Sequence, residues 1–137
     1  MENKFCPDME LNRINEISML GLAHIGDAVY ELLVRTMLCR DGRKRADDLH
    51  RRTVSIVKAP AQARAAERLI PHLSDEELAV YKRARNSKVN SVPRSADIAQ
   101  YHAATGLEAL FGWLYLQSRT ERISELFDIC VEDWDGT

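Results

Sequence analysis

The sequence predicts an all-α fold. Two long segments, 17–39 and 96–117, are dense in apolar residues, and no stretch alternates with the two-residue period of a half-buried strand. Ser74-Asp-Glu-Glu77 has the pattern of a capping box, which fixes the start of a further helix. Breakers stand where helices must end: Gly42, Pro71 and Pro93.

Each element follows from local chemistry. Ile17 to about Cys39 is apolar on most faces, which predicts a helix buried in the domain, stopped by Gly42. A shorter helix is expected over Ala46 to Thr53. Another should run from about Pro60, well suited to a first turn, to Leu69, with Pro71 ending it. The capping box starts a helix at Asp75 that reaches about Arg85, and Asn86 to Ser95 reads as a loop. A second deeply buried helix is predicted from Ala96 to Gln117, and Thr120 is placed to cap a last amphipathic helix up to Cys130.

At 137 residues the chain has room for one domain with one core, so 1–137 is read as a single unit. His24, Asp27, Glu31 and Arg35 interrupt the most apolar segment, which argues against a membrane span. The N-terminus lacks the basic-then-apolar layout of a secretory signal, so a cytoplasmic protein is expected. Cys6, Cys39 and Cys130 are odd in number and widely spaced, which suits free thiols in a reducing compartment.

Charge is informative through its distribution, because the net value is only −2. Acids crowd both ends, including a tail with Glu132, Asp133 and Asp135. Between Tyr81 and Ala96 stand Lys82, Arg83, Arg85, Lys88 and Arg94 with no acid among them. A second basic stretch, from Arg40 to Lys58, is diluted by Asp41, Asp47 and Asp48 and reads equally well as a solvated face.

Asp27 and Glu108 break the apolar pattern of the two helices expected to be buried. A lone buried carboxylate costs several kcal/mol, roughly, unless it is paired, protonated or bound to a metal. Gly21 and Gly26 flank the first acid, Gly106 and Gly112 the second. Glycine weakens a helix by about 1 kcal/mol relative to alanine, so four of them point to close helix–helix approach near both acids. If the helices cross there, the two carboxylates converge into a site for a hard cation such as magnesium. The residues alone leave a second reading open, in which each acid pairs with a cation such as Arg35 or His24. His24 and His50 each read as a hydrogen-bonded helix histidine or an RNA contact. Neither belongs to a paired Glu-x-x-His motif. Phosphate-loop and nucleophile-elbow motifs are absent.

Ala23-His-Ile-Gly-Asp-Ala-Val-Tyr30 resembles the signature of the ribonuclease III family, and Leu107-Glu-Ala-Leu-Phe-Gly-Trp-Leu-Tyr-Leu116 resembles its second motif. Lys82-Arg-Ala-Arg-Asn-Ser-Lys88 is similar to a pattern of the short bacterial branch, Mini-ribonuclease III, and Pro93, Asp97 and Tyr101 also fall where that branch has equivalents. The resemblance covers about 20–122. It implies the helical endonuclease domain of that family, a two-fold homodimer acting on double-stranded RNA, and magnesium (or manganese in its place) held by Asp27 and Glu108 as the catalytic pair. It also implies a biological substrate, the paired stem of precursor 23S ribosomal RNA. Full-length relatives carry two further acids where this chain has Ala23 and Thr105, and continue into an RNA-binding domain where this chain has an acidic tail after about residue 131. The catalytic unit itself is therefore expected to supply the affinity. Arg83, Arg85, Asn86, Lys88 and Arg94 are the candidates for holding phosphates and 2′-hydroxyls, with His24 and Thr105 as supporting residues beside the acids. The rival expectation, prompted by the two missing acids, is a non-catalytic relative that binds structured RNA in a ribonucleoprotein.

Overall fold

The computed structural model describes residues 2–40, 42, 44–87 and 97–134, and among these it is built of helices without a strand. In chain order they are α1 (Leu11–Ile14), α2 (Met19–Arg40), α3 (Ala46–Val57), α4 (Ala59–Leu69), α5 (Asp75–Arg85), α6 (Ile98–Leu116) and α7 (Thr120–Cys130), with a 3-10 turn at Ile70–His72. The all-α expectation holds. Several boundaries differ. The short α1 lacks the length to show a helical period and was not anticipated. Helix α3 runs four residues past Thr53, because its partly buried Ile56 and Val57 continue the face that packs on the core. Helix α4 ends at Leu69 as expected, and Pro71 sits inside the 3-10 turn that follows, where its missing N–H costs nothing. Thr120 is the first residue of α7 and caps nothing; the cap position belongs to Arg119. The capping box at α5 is present in full, with Glu77 N–H donating to Ser74 Oγ at 3.2 Å and Ser74 N–H to Glu77 Oε1 at 2.8 Å.

Helix α6 is the axis of the molecule. Eleven of its residues, including Leu107, Leu110, Phe111 and Leu114, are buried, and α2, α4, α5 and α7 pack around it. Tyr30 of α2 meets Phe111 edge-on at 5.3 Å between ring centres and Phe127 of α7 at 5.6 Å, which ties three helices through one aromatic cluster. The N-terminal segment closes the far end of α6, where Met9 N–H donates to Leu116 O and Tyr115 Oη–H to Lys4 O.

Helix α2 departs from expectation. It does not lie buried on most faces: only the stripe Leu22, Ala23, Gly26, Tyr30, Val34 and Leu38 is buried. Its other face carries Ile25, Ala28, Val29, Leu32 and Leu33 into an open apolar groove shared with Phe5, Tyr115 and Ile123, and Leu32 is 53% exposed. Apolar residues on that side are therefore not explained by the core of this chain.

A second buried polar feature is structural. Glu77, 1% exposed, accepts from Arg122 Nε at 2.9 Å and Nη2 at 2.8 Å, while Nη2 also donates to His72 O. The guanidinium beside it lowers the Glu77 carboxyl to about 2. This bidentate pair locks the start of α5 onto α7.

Candidate active site

Two glycines bring the acids together. A Cβ on Gly26 would stand 1.5 Å from the backbone oxygen of Glu108, and one on Gly112 would stand 2.1 Å from the backbone oxygen of Leu22. Helices α2 and α6 therefore touch backbone to backbone, at the residue before Asp27 and at Glu108 itself. The other two glycines have different neighbours. A Cβ on Gly21 would meet Ile17 and Ser18 of the preceding turn, and one on Gly106 would meet the Tyr81 ring of α5 at 2.8 Å. Half of the inferred close approach is thus the α2–α6 crossing, and half is not.

At that crossing the carboxyl group of Glu108 comes within hydrogen-bonding reach of that of Asp27. Their settings are unequal. Glu108 is half-buried, whereas Asp27 lies on the exposed side of α2, which corrects the expectation of two buried acids. A carboxyl–carboxyl hydrogen bond needs one proton, and Glu108 is the group that keeps it. Burial first, then the hydrogen bond to Asp27 and the charge beside it, push the Glu108 carboxyl up to about 9. Two carboxyls sharing a proton, one open to solvent, form a donor set that a hard divalent cation can take over with water filling its remaining positions. Among the described residues no group of three His, Cys, Asp or Glu side chains converges for a metal. The ion-pair reading of these acids loses one of its partners, since Arg35 pairs with Glu31 at 2.8 Å.

The two expected supporting residues have neighbours of their own. His24 lines the apolar groove on the outer face of α2. Thr105 is buried, and its hydroxyl donates back to Tyr101 O at 3.0 Å within α6. Ala23 is buried as well.

Of the basic candidates, Arg83 and Asn86 are exposed at the end of α5, and Arg85 is half-buried. The Arg85 guanidinium lies over the Tyr81 ring, 5.6 Å from its centre, and its Nε donates to Asn86 Oδ1 at 3.4 Å. Tyr81 is in turn packed against Gly106, two residues before Glu108. The basic end of α5 is thereby held beside the turn of α6 that carries the acid. Lys88 and Arg94 lie outside the described residues.

One residue at the site escaped the sequence reading. Gln62 of α4 is 2% exposed, and its amide faces the Glu108 carboxyl, where it favours the ionised form. Its Nε2 nevertheless completes no hydrogen bond of normal geometry. The signal was available: Gln62 stands three, four and seven residues before Ala65, Ala66 and Leu69, all on the buried stripe of the helix.

A helical domain whose two central helices cross on glycines and carry one carboxylate each matches a known class. The family model for the ribonuclease III domain covers residues 20–119. Chains named Mini-ribonuclease 3 are similar over most of the length: one from Symbiobacterium thermophilum is 45% identical, with 82% of this chain and 87% of that one covered. Another, from Enterococcus faecalis, is 37% identical, with 85% and 90% covered. A crystal structure of a Fusobacterium nucleatum protein superimposes with a TM-score of 0.80 at 33% identity, covering 88% of this chain and 93% of that one. The chain belongs to the ribonuclease III family, in its Mini-ribonuclease 3 branch, and is an endoribonuclease of the ribonuclease III type.

Proposed function

We propose that this endoribonuclease hydrolyses both strands of an RNA duplex as a two-fold homodimer, with a divalent cation, magnesium or manganese, held by Asp27 and Glu108. The observation that carries this reading is the adjacent carboxyl pair at the glycine crossing of α2 and α6. When bound, a hard cation there supplies polarisation of the scissile phosphate and acidification of a water. The chain's own residues do the rest. Asp27 and Glu108 give up their shared proton and present two carboxylates. Arg83, Arg85 and Asn86, with Lys88 and Arg94 further along, grip phosphates and 2′-hydroxyls, since A-form RNA is recognised mainly through its backbone.

The apolar face of α2, with Ile25, Val29 and Leu32, is the surface we assign to the dimer. Pairing two copies about a two-fold axis gives one duplex two carboxylate pairs, matching the pseudo-symmetry of its strands. Residues 1–137 act as one catalytic unit in this account. The substrate is the paired stem of precursor 23S ribosomal RNA and the setting cytoplasmic. No helix among the described residues is long and apolar enough to cross a membrane, which is compatible with that setting. The test is to offer purified protein a precursor stem and an unrelated duplex of equal length, with magnesium or with chelator. Magnesium-dependent cuts within the stem, at a higher rate than in the control duplex, are expected; equal rates on both would remove the ribosomal assignment.

A further inference from the structure

Most polar atoms buried in a folded protein find a partner, and an amide N–H left without one is destabilising. Gln62 Nε2 is such an atom: it is shielded from solvent and lacks a hydrogen-bond partner. It is not, however, remote from acceptors. The same amide lies against the Glu108 carboxyl, brought there by α4, which packs on α6. A carboxylate offers about four lone-pair positions on its two oxygens, and a hard cation occupies only those directed at it. We propose that Gln62 is a positioning residue of the metal site, its side-chain N–H holding the Glu108 carboxylate in the orientation that presents the other lone pairs to a divalent cation.

Three features of the residue fit that role and no direct one. Solvent does not reach Nε2, so RNA cannot touch it, and Gln62 is not a catalytic residue. The stem is fixed in the tightly packed run Ala59–Leu69, with Ala65, Ala66 and Leu69 buried beside it, so the amide is placed rigidly. Carboxylates that bind metals are themselves hydrogen-bonded, and loss of such a partner typically weakens metal affinity about 10- to 100-fold. The inference rests on the metal reading proposed above.

The experiment compares wild type with Gln62→Met, which keeps the length of the side chain and deletes the donor, and with Gln62→Leu. Mn2+ binding is measured by calorimetry without RNA, and thermal unfolding is followed without metal. Removing an unsatisfied donor in favour of an apolar group of like shape is close to neutral or stabilising. Both variants should therefore melt at or above the wild-type temperature in chelator, bind Mn2+ about 10-fold or more weakly, and bind duplex RNA in chelator as wild type does. Variants that bind Mn2+ with wild-type affinity would overturn the role of Gln62 alone. Variants that unfold, or melt well below wild type without metal, would also overturn it, by making Gln62 a packing residue. Wild type that binds no Mn2+ would overturn this inference together with the metal reading.

Discussion

The backbone oxygen of Glu108 occupies the space in which a side chain on Gly26 would begin, 1.5 Å from the ideal Cβ position. One contact thus sets both the spacing of α2 and α6 and the meeting of the two acids, since Asp27 follows Gly26 directly. Gly26→Ala must push the helices apart, and backbone cannot yield as a flexible side chain can. A loss on the order of 3 kcal/mol, at the upper end of overpacking costs, is expected in chemical denaturation, together with loss of cleavage. Gly21→Ala, which meets only Ile17 and Ser18 side chains, should change stability by less than about 1 kcal/mol and leave cleavage intact.

Metal-free stability should fall as pH rises. The Glu108 carboxyl sits at about 9 in the folded protein against an ordinary 4.5. Between those values the folded state holds a proton that the unfolded chain has released, so the contribution is full below about 4.5 and lost progressively up to about 9. Glu108→Gln removes the titration. In chelator its melting temperature should match wild type near pH 4 and exceed it near pH 8. Parallel pH profiles would show that the pair does not share a proton.

Leu32 stands 53% exposed in the apolar groove of α2. A lysine there places a charge in the proposed dimer face without touching the core. Sedimentation of Leu32→Lys should show a folded monomer with cleavage strongly reduced. A variant that remains dimeric would move the interface elsewhere.

Arg83 and Arg85 end α5 beside the acid-bearing turn of α6. Replacing both with alanine should weaken duplex binding and lower the slope of log affinity against log salt, by roughly 0.7–0.9 for each phosphate contact removed. Thermal stability should barely change for Arg83→Ala and fall slightly for Arg85→Ala, which gives up its stacking on Tyr81. An unchanged slope would return the basic end to a solvated surface.

The helices and the positions of both acids are legible in the sequence because each leaves a local mark. Capping at Ser74 is written in four consecutive residues, and a carboxylate inside an apolar run is conspicuous. What is not legible there depends on neighbours far along the chain. The run 17–39 looked buried on most sides, but periodicity cannot tell a core face from a face kept apolar for a partner, so the open side of α2 went unseen. Glycines 21, 26, 106 and 112 looked alike, yet only Gly26 and Gly112 form the α2–α6 contact, while Gly106 receives Tyr81. Asp27 sits in an apolar run that implies burial, although its own position points outward. Gln62 was legible as a polar break in an alanine-rich stripe, but its importance appears only when α4 is laid against Glu108. Lys88 and Arg94 fall outside the described residues, so their placement rests on sequence.

In the proposed mechanism Asp27 and Glu108 act together on duplex RNA. The most direct measurement is cleavage of a long RNA duplex by wild type, Asp27→Asn and Glu108→Gln, each with magnesium and with chelator, alongside duplex binding in chelator. Both substitutions nearly preserve shape. Wild type should cut only with magnesium, and both variants should bind the duplex as wild type does while cutting at least about 1,000-fold more slowly, a barrier increase of about 4 kcal/mol. Near wild-type cleavage by either variant, or undiminished cleavage by wild type in chelator, would contradict it.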